Sequence, residues 1–388
     1  MNLRDHVSSL DHDMRAWRHD FHAHPELGFE VQRTAGVVAK ALKALGCDDV
    51  VSGIGRTGVV GIVHGRRSTS GRVIGIRADM DGLPIEEQTG LAHASRLKGQ
   101  MHACGHDGHM AIALGAATYL ARTRSFNGAA AFIFQPAEEL GGGANVMVRD
   151  GLMERFDIDE VYALHNMPGL PCGTIAARHG TLFAASDNFE ILLTGHGGHA
   201  AYPHQTRDPI ACAAQLISSL QQVVSRNIDP LCPCVVSVTS IQCGNSFNII
   251  PEQGRLLGTV RTLDESTRAD AEKRVRDTVR FTARSFGIEA TLDYRREYPA
   301  TVNHREQTEF AMAMARATVG DTQLYGDTPP IMGCEDFAYM LQSRPGAYVL
   351  LGNGDTEPVH HPRYDFNDDS LTTGASYFST LVEKAMPI

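Results

Sequence analysis

At 388 residues, with 35 Lys and Arg against 45 Asp and Glu, the chain carries a formal charge of −10 and is 43% hydrophobic. At about 150 residues per domain this suggests two or three domains, enough to bury a core without disulfides or a structural metal. An acidic balance with no Lys/Arg-rich block argues against nucleic acid or anionic membrane as partner, since either needs a basic footprint, and leaves small molecules as the better prospect. The unusual figures in the composition are 18 His and 8 Cys, the side chains that transition metals favour.

The first twenty residues, MNLRDHVSSLDHDMRAWRHD, have no apolar leader and no small-residue cleavage site, so a cytoplasmic location is expected. No apolar run approaches the roughly 18 residues of a spanning helix. The cysteines show no repeated spacing, and Cys232-Pro-Cys234 is the wrong separation for a CxxC motif. Helical periodicity predicts a helix over 33–45 that stops at Gly46. Short apolar runs predict strands over 72–79 and 129–135, a small-residue helix lies between them at 107–123, and a further strand is expected at 161–165. This alternation indicates an α/β domain with a mainly parallel sheet.

From 186 the pattern changes to strand 189–195, helix 208–228, strands 234–242 and 254–263, helix 265–287 and strand 288–296. That β-α-β-β-α-β order is ferredoxin-like. The predicted organisation is therefore a catalytic domain in two parts, 1–185 and 298–388, interrupted by an α+β domain over 186–297. The last part, with a strand at 347–352 and a helix at 370–385, is too short to stand alone.

In parallel sheets ligands bind beyond the carboxyl ends of the strands, and the chemical residues fall there. Asp79 and Asp81 follow one strand, Glu138 and Glu139 the next, and His165 ends a third. In MHACGHDGHM (101–110), Cys104 and His106 are two apart, which in an extended segment turns both side chains to one face. Adjacent Glu138 and Glu139 point to different sides, so one carboxylate is available for metal and its neighbour for substrate. Singly each of these is as well explained by a turn, a cap or a packed histidine. Together, after successive strands, with His360 in VHHPRYDFND, they make a set of imidazoles, a thiolate and carboxylates suited to metal.

These segments resemble the amidohydrolase branch of the aminoacylase/carboxypeptidase-like binuclear metallohydrolases, which includes hippurate hydrolases, N-acyl-L-amino-acid amidohydrolases and auxin-conjugate hydrolases. The resemblance runs in order through FHAHPELGFE (21–30), RADMDGLPIEE (77–87), MHACGHDGH (101–109), FQPAEE (134–139), LHNMPG (164–169), GHGGHAAYPH (195–204), NIIPE (248–252), GTVRTLD (258–264), GCEDFAYML (333–341) and HHPRYDFND (360–368). Carried over by position, it implies metal ligands at Cys104, His106, Glu139, His165 and His360, with Cys104 in the bridging place. A His-x-Pro pattern selects His360 over His361.

The same resemblance implies two divalent ions per subunit, Zn²⁺ or Mn²⁺ with Co²⁺ or Ni²⁺ possible, and an inserted lid and dimerisation domain in a homodimer or homotetramer. It makes Glu138 the general base and acid, His199 a donor to the developing oxyanion, Asn248 and Arg261 partners of a substrate carboxylate, and Asp81 a group that orients a ligand from behind. His22 and His24 are assigned to support. Cys334 departs from the Ser that relatives often have before Glu-Asp-Phe. The implied reaction is hydrolysis of N-acyl-L-amino acids. A dipeptidase or carboxypeptidase of the same superfamily is the alternative, disfavoured because Asp79 stands where those enzymes place His; an inactive scaffold is a third reading, disfavoured because Glu138 and the ligands are all present.

Overall fold

The structure, a computed structural model, describes residues 3–388. The chain divides into two compact units, one comprising residues up to Leu182 with Val302–Pro329 and Asp336–Ile388, the other Phe183–Thr301 with Pro330–Glu335.

The first unit is built on an eight-stranded sheet. Its centre is four parallel strands in the spatial order Ala129–Gln135, Val73–Asp79, Glu160–Pro168 and Gly346–Gly354. Every residue of the 73–79 and 129–135 strands is buried, which is why both are mainly apolar rather than alternating, with Arg77, Asp79 and Gln135 as the buried polar exceptions. Gly58–His64 adds antiparallel beside 129–135, so the sheet is mixed at its margin. Helix His106–Thr123 is buried through Leu120 and packs on the 73–79 strand and on helices Asp11–Ala23 and Leu371–Ala385. Helix Gln32–Leu45 ends at Gly46, whose φ of 89° is a conformation that a side chain disfavours and whose N–H caps the last turn. Among the described residues no helix is long and apolar enough to cross a membrane.

The second unit holds a four-stranded antiparallel sheet in the spatial order Cys234–Cys243, Gln253–Thr262, Ala185–Thr194 and Glu289–Arg296. Alternate residues Phe189, Ile191, Leu193, Leu256 and Val260 are buried with Leu216 and Leu220 of helix Pro209–Gln222 and Val275 and Val279 of helix Glu265–Ser285. Both helices begin on an aspartate: Asp208 accepts the N–H of Ile210 at 2.8 Å and Asp264 that of Thr267 at 2.8 Å. The helix expected to run through 228 is α-helical to Gln222 and widens into a π turn over Val223–Asn227.

The chain does not simply resume the first unit after residue 301. Residues 330–335 return to the second, because the N–H of Ala184 is shared between the carbonyls of Ile331 and Gly333 at 3.0 and 2.8 Å. That pairing joins segments nearly 150 positions apart, and no local pattern announces it.

The second unit also encloses a buried ion pair joined by a tyrosine hydroxyl. Asp187, on the helix-covered face of its strand, accepts from Arg268 Nε at 3.0 Å and from the Tyr294 hydroxyl at 2.8 Å. Asp187→Ala would leave the Arg268 guanidinium buried without its main partner, at a cost of about 3 kcal/mol. Urea unfolding of the variant should show that loss, and an unchanged midpoint would refute the assignment.

Candidate metal centre

The carboxyl ends of the four parallel strands deliver the chemical residues to one rim. Asp81 lies two residues beyond the 73–79 strand, and its carboxylate receives the backbone N–H of Glu138 at 3.0 Å on Oδ1 and that of Glu139 at 3.2 Å on Oδ2. The turn it holds, after strand 129–135, bends through Ala137 at φ 55°, a non-glycine residue in the left-handed region. The Asp81 carbonyl accepts from His106 Nδ1 at 2.7 Å. One residue thus fixes the base candidate, one ligand candidate by its backbone and another by its ring.

Cys104 and His106 meet by a route other than the expected extended segment. Gly105 between them has φ 89° and is the N-cap of the 106–123 helix, so the chain turns sharply there. A Cβ at Gly105 would lie 2.2 Å from Asn166 Nδ2 and 2.5 Å from the Tyr364 hydroxyl. The side chains converge through this turn, and glycine is the residue that both the dihedral and the crowding require.

His165, near the end of the 160–168 strand, donates from Nδ1 to the Asn166 carbonyl at 2.6 Å and places Nε2 at 3.4 Å from Cys104 Sγ. His360 has φ 66°, and its N–H is bonded to the Ala103 carbonyl at 2.7 Å. Ligand atoms of Cys104, His106 and His165 all lie within 4.8 Å of one another, and so do those of Cys104, Glu139 and His360. Cys104 belongs to both groups. His106, Glu138 and Glu139 form a further group within the same limit.

Two atoms test whether this arrangement fits metal. His106 Nε2 and Glu139 Oε1 are buried with no hydrogen-bond partner and stand 3.9 Å apart; His360 Nε2 approaches that same oxygen at 3.2 Å, outside hydrogen-bond geometry. Buried polar atoms without partners are rare because each forfeits its hydration. Here the two face one another across a space bordered by a thiol and further imidazoles, a donor set that suits a divalent ion.

The model of peptidase family M20/M25/M40 matches residues 75–384. The chain belongs to that family. It is 40% identical over 384 residues to hippurate hydrolase of Campylobacter jejuni, covering 99% of each chain. It is 39% identical to N-acetylcysteine deacetylase of Bacillus subtilis, covering 94% of each. Among solved structures it superposes with a TM-score of 0.84, at 34% identity and over 98% of its length and 99% of the other, on a B. subtilis protein called a dinuclear metal binding peptidase of the M20 family. The chain is a hydrolase of this family.

The M20 chain's own electrostatics bear on how a thiol would serve in such a place. Burial, then Glu139, Glu138 and Asp79, pushes the Cys104 thiol well above its usual range, so a neighbouring cation is what would make a thiolate of it. Burial, aided by His109, brings His165 down to about 3 and keeps its ring neutral. Burial alone would also lower His106, but Asp79 and Asp81 outweigh it and push the ring up to about 10.

Behind the ligand candidates lies a chain of bonds that sequence reasoning does not single out. Arg77 donates to Asp79 at 2.7 Å, Asp79 accepts from His109 Nδ1 at 2.7 Å, and His109 Nε2 accepts the N–H of Asn166 at 3.0 Å. Asn166 Nδ2 donates to the Cys104 carbonyl at 2.6 Å, and the Tyr364 hydroxyl donates to Asn166 Oδ1 at 2.6 Å. The signal in the sequence is position alone: His109 closes the CGHDGH motif and Asn166 directly follows His165. His22, assigned to support, is buried between Asp107 at 2.8 Å and Glu87 at 3.3 Å, while His24 bonds only locally, to the Asp20 carbonyl at 2.8 Å.

His199, Asn248 and Arg261 belong to the other unit. There Gly198–His199 pairs antiparallel with Ile249–Ile250, and the N–H of Ala200 reaches the Asn248 carbonyl at 3.0 Å, so His199 and Asn248 are neighbours on exposed loops. His199 Nδ1 accepts the N–H of Ala201 at 3.1 Å. Arg261 is half-buried on the 253–262 strand and bonds to the Thr259 hydroxyl and, at 3.1 Å, to the Val260 carbonyl.

This geometry has two measurable consequences. Gly105→Ala forces a left-handed alanine, at about 1–2 kcal/mol, and drives its methyl into Asn166. Its melting temperature and its uptake of an added divalent metal should both fall relative to wild type, and unchanged uptake in a folded variant would refute the turn's role. His22 yields a pH dependence. Burial lowers its pKa, but Asp107 and Glu87 overcome this and raise it from 6.5 to about 9. A folded-state pKa raised above the unfolded one gives stability that is complete below about pH 6.5 and is lost as pH rises through about 9. The melting temperature of His22→Gln should lack that alkaline component, and parallel curves for wild type and variant would contradict it.

Proposed function

We propose that this chain hydrolyses the amide bond of N-acyl-L-amino acids, of the hippurate or N-acetyl type, with two divalent ions bound by Cys104, His106, Glu139, His165 and His360. The observation that carries this reading is the membership of Cys104 in two ligand groups with buried Glu138 beside them. The hippurate hydrolase and deacetylase relatives support the substrate class. Bound in this site, divalent ions supply charge that polarises an amide carbonyl and lowers the pKa of a water toward neutrality.

The protein's own residues do the rest. Glu138, held through its backbone by Asp81, takes the proton of the attacking water and hands it to the departing amine, which otherwise leaves as a poor anion. His199, with Nδ1 occupied as an acceptor, carries its proton on Nε2 when neutral and offers that N–H to the oxyanion as charge develops. Asn248 and Arg261 receive the substrate's carboxylate, for which a guanidinium fork is the natural partner. The products are a carboxylic acid and a free amino acid.

Glu138→Gln should lower kcat by about 10²–10⁴-fold while zinc or manganese content stays at the wild-type value. Glu139→Gln and His165→Ala should instead lose metal. Wild-type turnover in Glu138→Gln would remove it as the base. Hippurate and N-acetyl amino acids assayed beside dipeptides decide the substrate class, since faster dipeptide cleavage would turn the reading to a peptidase.

A further inference from the structure

We propose that Arg18 is a positioning residue for the metal centre, a buried guanidinium that locks the segment bearing Cys104 and His106 to the loop after His360. The inference rests on the proposed metal site and adds to it a residue far from the rim in sequence.

Arg18 lies in helix Asp11–Ala23 and is fully buried. Its Nε stands 3.1 Å from Asp107 Oδ2, its Nη2 donates to the Phe366 carbonyl at 3.2 Å and contacts the Asp365 carboxylate, and Nε is 3.5 Å from Asp368 Oδ1. Nη1 meets His93 Nε2 at 2.6 Å. Asp107 directly follows His106 and is itself fully buried. Asp365 and Phe366 follow Tyr364, whose hydroxyl holds Asn166 beside His165. One cation therefore faces three carboxylates from two segments that each carry a proposed ligand.

The guanidinium sets geometry because it is the contact the two segments share. Without it, Asp107 keeps His22 at 2.8 Å and Asp368 keeps His19 at 2.8 Å, but the cation that Asp107 shares with Asp365 and the Phe366 carbonyl is gone, and the two segments lose the bonds that join them. The His360 backbone adds to this, because its φ of 66° is strained and persists only while its surroundings enforce it. Released, the His360 loop relaxes away from Cys104. The planar fork of arginine bonds in several directions at once, which the point charge of a lysine does not reproduce.

The test is stepwise zinc affinity of metal-free protein, measured by chelator competition at a temperature where circular dichroism shows each variant folded. Asp365→Asn is the safer variant because the Asp365 side chain is 37% exposed. It should bind at least one zinc about 10–100-fold more weakly, and Arg18→Lys should do at least as badly. The double variant should be no weaker than Arg18→Lys alone, since the two act through one contact. A merely structural role would lower the melting temperature and leave the affinity of the folded protein unchanged. If wild type binds two zinc ions tightly and both single variants match it, or if the two losses add, this proposal is overturned alone. If wild type takes up no divalent ion, the metal-centre reading falls with it.

Discussion

The site depends on a single carboxylate. Asp81 accepts two successive backbone N–H groups, those of Glu138 and Glu139, while its carbonyl takes the proton of His106 Nδ1. Those bonds tie the ends of two adjacent parallel strands to the start of the helix between them. A carboxylate receiving two N–H bonds is rigid, so the side chains of Glu138 and Glu139 leave the turn in fixed directions. The left-handed Ala137 is tolerated for the same reason, since the bonds it makes possible offset a backbone strain of order 1 kcal/mol.

The charge distribution around Asp81 points to a cation. Arg77 reaches Asp79 at 2.7 Å and Asp336 at 3.2 Å, so the deepest acids have a buried partner of their own. Glu138, Glu139 and the Cys104 thiol lie nearer the rim, where Cys104 is held neutral by burial and by the acids around it. His106 Nε2 and Glu139 Oε1, neither with a hydrogen-bond partner, lie on this side. A divalent ion there would meet each of these features together: it would coordinate the unpartnered atoms, stabilise the thiolate and screen the carboxylates from one another. Water alone would satisfy the unpartnered atoms without removing the repulsion.

Much of this is legible in the sequence because it is local. The 129–135 strand is a run of apolar residues ended by Pro136, and its structural bounds coincide with its pattern. Glu138, Glu139 and His165 stand out because each lies at or just beyond the carboxyl end of an apolar run. The Cys104–His106 pair stands out for an incomplete reason, since a spacing of two points to an extended chain whereas the glycine between them is what brings the side chains together. What stays hidden is carried by contacts between distant segments. Arg18 sits in a polar amphipathic helix where an arginine is ordinarily a solvated side chain, and nothing within a helical window announces partners at 107, 365 and 368. The return of residues 330–335 to the second unit is hidden for the same reason.

A buried ion network of this kind contributes little to net stability, because the desolvation of each charge roughly cancels its attraction to its partner. Its value is positional: metal chemistry needs ligands held within about 0.5 Å of productive geometry. Small metal-dependent domains obtain that geometry from the ion itself and unfold without it. A chain of 388 residues has a different option, since a core spanning its helices and parallel strands can carry the cost of Arg18, Arg77 and their acids whether or not an ion is present. The ligand candidates are thus held by the protein's own bonds, so that the free energy of binding an ion need not go to folding the loops that carry them.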